Sequence, residues 1–115
     1  MGQAGITSLH GDFKNILKIT AEGLWALVKY ANGQCVFFTT KKILKYAEYD
    51  GDSVSPVTLS LIKHVLMQLI DEGYVQIDDS RKTRRYVLCR NSLLWNVAKS
   101  GGPEDVFAFI ESVVD

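Results

Sequence analysis

Two cysteines, two histidines and two prolines in 115 residues exclude several architectures at once. Cys35 and Cys89 show no zinc-ligand spacing, and His10 and His64 lie far apart in sequence, so no structural metal is expected. Neither sign of charge is in excess: 13 basic residues balance 13 acidic ones, which removes overall basicity as a pointer to nucleic acid. No apolar run approaches the roughly 20 residues of a membrane span, and the longest one near the N-terminus is broken by Lys29. No secretory signal is expected, and no myristoylation either, since the Met1-Gly2 start carries Ile6 where Ser or Thr is needed. There is no internal repeat and no low-complexity segment, and the expected location is the cytoplasm, away from membranes. Catalytic patterns are equally scarce. No Ser, His and acid set has a motif context, and no glycine-rich loop leads into a helix with a phosphate-binding lysine. Gly101 and Gly102 precede a helix, but Glu104 and Asp105 would repel an anion there. Neither enzyme activity nor a cofactor is expected.

What is present is a chain of single-domain length, nearly half hydrophobic, able to bury one core unaided. Both prolines mark helix starts. Ser55 supplies a capping hydroxyl ahead of Pro56 at the first helical position, where its missing N–H costs nothing. Leu59, Ile62, Val65, Leu66, Leu69 and Ile70 then recur at helical spacing as one apolar stripe, leaving Ser60, Lys63, His64 and Met67 opposite. Gly73 stops this helix near Glu72, because glycine takes the left-handed conformation without penalty. Tyr74–Ile77 and Arg85–Cys89 read as strands, and the polar segment from Asp78 to Arg84 as the hairpin tip between them.

Upstream, Leu24, Leu27, Val28 and Ala31 share a helix face that Asn32 and Gly33 close, with Trp25 and Tyr30 widening it. Gln34 to Phe38 is too apolar for a loop and too short for a helix, so it reads as a strand. Thr39 or Thr40 caps a following helix with Ile43, Leu44 and Ala47 inward, ending near Tyr49 before the turn residues Asp50, Gly51 and Asp52. The expected fold class is α+β, in the order helix, strand, helix, helix, strand, hairpin tip, strand.

From about residue 20 to 90 this pattern resembles the winged-helix superfamily. The resemblance is carried by Leu69, Ile70, Asp71, Glu72, Gly73, Tyr74 and Val75, followed at a wing's distance by Arg84, Arg85, Tyr86, Val87 and Leu88. It implies a winged helix-turn-helix core over 20–90, with an N-terminal extension, partly helical, over 1–19 and C-terminal helices over 91–115. It further implies that the helix from about Ser55 is a recognition helix entering the major groove of double-stranded DNA, with the basic hairpin on the backbone or minor groove. Expected site residues are Lys41, Lys42 and Lys45 before the recognition helix, Ser60, Lys63 and His64 on it, and Arg81, Lys82, Arg84 and Arg85 on the wing.

The distribution of charge fits this better than its total. Residues 39–90 carry nine basic against seven acidic side chains, whereas residues 91–115 carry one against four. Lys41 and Lys42 also sit in a first helical turn, where the dipole disfavours cations. Against this stand Asp71, Asp78 and Asp79, and the ordinary fact that Lys and Arg populate solvated surfaces. The alternative function is a winged-helix module for protein contact within a transcription, replication or other multisubunit assembly. No effector ligand is indicated.

After the wing, Leu93, Leu94, Trp95 and Val97 suggest a short helix; Gly101 and Gly102 break it and Pro103 starts another. Val106, Phe107, Phe109, Ile110, Val113 and Val114 give that last helix a broad apolar stripe. Its cover is either the chain's own first helices or the same helix of a second subunit. Appended helices of winged-helix regulators commonly dimerise, so the expectation is a homodimer through these six residues. Phe13, Ile16, Leu17 and Ile19 offer a further partner helix. In a winged helix the strands bearing Cys35 and Cys89 pair antiparallel, making the cysteines cross-strand neighbours; free thiols are expected in an ordinary cytosol, and a bridge is the alternative in that of a hyperthermophile.

Overall fold

The computed structural model describes residues 2–47, 56–80, 82 and 84–114, with side chains described from residue 13. The described residues form an α+β fold of five helices and one three-stranded antiparallel sheet: α1 (Gly2–Lys29), β1 (Cys35–Phe38), α2 (Thr40–Tyr46), α3 (Pro56–Asp71), β2 (Gln76–Asp78), β3 (Arg85–Cys89), α4 (Leu93–Ser100) and α5 (Pro103–Val114). The strand order is β1-β3-β2. No helix among the described residues is long and apolar enough to cross a membrane.

α1 is the spine against which every other helix packs. Its Ile16, Leu17, Ala21, Leu24, Leu27 and Val28 are all buried. The helix runs through residues 19 and 20, where the N-terminal extension was expected to meet the core domain. α1 and α2 approach closely at Gly23, where a Cβ would stand 2.5 Å from the Ile43 carbonyl oxygen of α2. Lys99 of α4 donates from Nζ to the Val28 carbonyl at 3.0 Å, placing a cation on the negative end of α1. Trp25 Nε1 donates to the Gly101 carbonyl at 3.0 Å, fixing the α4–α5 corner to the same spine.

α3 ends as its sequence dictates. Gly73 takes a φ of 84°, its N–H donates to Ile70 and the Tyr74 N–H donates to Leu69, the pair of bonds of a Schellman stop. The Val75 N–H turns back to Leu69 as well, so Tyr74 and Val75 are committed to the helix end and β2 begins only at Gln76. Thr39 is the residue that caps α2, accepting from the Lys42 N–H at 3.2 Å. The Ser55 cap and the turn at 50–52 lie outside the described residues.

The register fixes which strand residues face the core. Val36 pairs with Leu88, Phe38 with Tyr86 and Ile77 with Tyr86, all on the helix-covered face. By the two-residue period of a strand, Cys35, Phe37, Gln76, Asp78, Arg85, Val87 and Cys89 share the opposite face. Cys35 and Cys89 are register partners with Cα atoms 4.0 Å apart, and they form a disulfide. The cross-strand position is as expected. The free thiols are not: direct opposition on one face brings the sulfurs into bonding contact.

The apolar stripe of α5 is covered from within. Val106, Ile110 and Val114 are buried against the chain's own helices, and Phe109 meets Tyr74 edge to face at 4.8 Å between ring centres. Phe107, Phe109 and Val113 are half-buried on the same core. Of the six residues expected at a dimer interface, Val106, Ile110 and Val114 therefore face the chain's own core, and Phe107, Phe109 and Val113 keep part of their surface exposed.

Candidate nucleic-acid interface

α3 buries Ile62, Val65, Leu66 and Leu69 and turns Val57, Ser60, Lys63, His64 and Met67 to the surface. The stripe leaves these five no alternative, because they occupy the arc opposite the core. His64 is engaged with Gln68 one turn on, at 2.9 Å between Nε2 atoms. Ser60 and Lys63 stand exposed beside it.

Beside α3 lies an open recess of about 340 Å³, lined by Thr39, Thr40, Lys41, Lys63, Arg84 and Tyr86. Three separate elements therefore bring one cation each to the same concavity: α2 supplies Lys41, α3 supplies Lys63, and the segment entering β3 supplies Arg84. Thr39 and Thr40 form part of the wall where α2 begins. Tyr86 forms the base and stacks on Phe38 at 5.7 Å, with burial pushing its phenol pKa up. Such a set suits a polyanion whose charges are spaced along a strand, and Asp79, paired with Arg84, is the acid that stands beside it.

The other expected residues are less convergent. Lys42 and Lys45 are exposed on α2 outside the recess, with the Lys42 ammonium 5.9 Å from the Tyr46 ring centre. Lys82 is exposed at the hairpin tip, and Arg81 lies outside the described residues. Arg85 is drawn to the outer face of the sheet. It donates to Asp78 at 2.7 Å and lies over the Phe37 ring at 4.5 Å, so its guanidinium is part of the sheet. The same Asp78 accepts from the Ser80 hydroxyl and N–H; these bonds and Arg85 hold its carboxyl well below the ordinary carboxylate range. Arg84, one residue earlier, donates through Nε to Asp79 at 3.1 Å in solvent. Neighbouring arginines that look alike in sequence thus have different surroundings. The alternation of a strand was the available signal, since Arg85 falls on the parity of Val87 and Cys89.

No protein-family model, curated protein or solved structure matches this chain.

Proposed function

We propose that this chain is a winged-helix DNA-binding regulator, with α3 as the recognition helix and the β2–β3 hairpin as the wing. The observation that carries the reading is the convergence of Lys41, Lys63 and Arg84 on one recess beside the exposed face of α3. The element order, the antiparallel sheet order β1-β3-β2 and the glycine stop of α3 support it. In this reading Ser60, Lys63 and His64 approach base edges and phosphates in the major groove, and Lys41 and Arg84 neutralise flanking phosphates. Lys42, Lys45 and Lys82 add long-range attraction. Any two-fold pairing of chains uses a surface other than the buried side of α5.

A second reading, contact with another protein, draws on the same face: Val57 is 65% and Met67 37% exposed on α3, more apolar surface than a groove reader requires. Fluorescence anisotropy with labelled random-sequence duplex DNA, titrated at several salt concentrations, decides between them. The DNA reading expects binding that weakens steeply with salt, and a K41A/K63A/R84A variant whose log–log salt slope is shallower by about 3. No binding at low salt sinks it and leaves the protein-contact reading.

A further inference from the structure

Resting on the DNA reading, we propose that Arg84 is the wing's phosphate-contacting cation and that Asp79 occupies it in the free protein, a carboxylate that a DNA phosphate must displace. Arg85 is the wing's anchor and stays on the sheet when DNA binds.

The two arginines differ in every property that matters for such an exchange. Arg85 sits between a cross-strand carboxylate and an aromatic ring, its side chain is 27% exposed, and its Nε is shielded from solvent. Pulling it away would leave Asp78, 16% exposed, without its cation. Arg84 and Asp79 are 55% and 68% exposed, and their contact is a surface pair of the kind that holds by about 0–1 kcal/mol, cheap to exchange. Arg84 already borders the recess that holds Lys41 and Lys63. A phosphodiester arriving there offers two anionic oxygens to the guanidinium fork, whereas the present bond to Asp79 runs through Nε. After the exchange Asp79 remains beside a polyanion, so its charge opposes binding and recruits a counterion that the complex would otherwise release.

The experiment compares wild type, D79N, E111Q, R84A and D79N/R84A by anisotropy on random-sequence duplex across a salt series. Glu111 is exposed on α5, and its neutralisation raises net charge by the same amount as D79N. The expected result is that D79N binds about two- to fivefold tighter than wild type. Its salt slope should also be steeper by about 1. E111Q should change neither, and in the R84A background the gain should shrink to the part that relief of the Asp79 charge alone supplies. D79N matching E111Q, or keeping its whole advantage without Arg84, would overturn the proposal while leaving DNA binding intact. Failure of wild type and every variant to bind would remove the DNA reading and this inference together. Melting curves of each variant confirm that the fold is retained.

Discussion

Cys35 and Cys89 are register partners at the ends of β1 and β3, and the disulfide between them closes a loop of chain with a sequence separation of 54. The loop contains α2, α3, β2 and the hairpin tip, so one bond ties together every element that lines the recess. Closing a loop of this size in the unfolded chain contributes roughly 4 kcal/mol. For a domain of this length that corresponds to a loss on the order of 15 °C in melting temperature when the bond is reduced. Intact mass with and without reductant verifies the bridge, and a C35S/C89S variant should melt where the reduced protein does. A melting temperature indifferent to reductant would show that the bond is absent or does not constrain the chain.

At Gly23 two effects oppose each other. Alanine is the better helix former by about 1 kcal/mol. Its methyl, however, would stand 2.5 Å from the Ile43 carbonyl oxygen and 2.6 Å from the Ile43 Cγ2 atom. The oxygen belongs to the backbone of α2 and cannot swing aside, and overpacking of this kind costs about 1–3 kcal/mol. Gly23→Ala is therefore expected to lower the melting temperature. An increase would mean that α2 slides on α1 without loss.

The parts of this fold that were readable in the sequence are those fixed by neighbours in the chain. Thr39 caps because its hydroxyl reaches a backbone N–H three residues on, and Gly73 stops α3 because a positive φ is needed there. Arg85–Cys89 was legible as a strand from its β-branched and aromatic content. The spacing of Ile16, Leu17, Ala21 and Leu24 also carries the continuity of α1 through residues 19 and 20. Other features depend on distant partners and carry no local signal. Lys99 meets α1 across a sequence separation of 71, and whether α5 covers its own core or another subunit is decided by where α1 lies. At the site, the basic residues were identifiable as a set, but their division into recess, surface and sheet required the register. Arg84 and Arg85 separate only once Asp78 is known to pair with Arg85.

The Asp78 carboxyl gives the hairpin an acid limit. Its pKa is lowered in the folded protein, first by the Ser80 hydroxyl and then by Arg85. A carboxylate depressed on folding contributes stability that is complete above its unfolded value, 3.8, and is lost as the pH falls through the lower folded value. The melting temperature of wild type should accordingly decline below that range more steeply than that of Asp78→Asn, and the two should converge in strong acid. Parallel curves down to pH 2 would show that Asp78 is not the group responsible.

Ile110 tests whether α5 serves the chain that carries it. Its side chain is fully buried in the common core, with Val106 and Val114 on the same face of the helix. Truncation in a site of this kind removes apolar contacts and leaves a cavity, at a cost of about 2–5 kcal/mol. Had α5 been covered by a second subunit, folding would be linked to association and the melting temperature would rise with protein concentration. With α1 as its cover, wild type and Ile110→Ala should each melt at a temperature independent of concentration, the variant far lower. Melting curves over a hundredfold range of concentration measure both quantities together. A concentration-dependent midpoint in wild type that Ile110→Ala abolishes would return this helix to the role of a subunit interface.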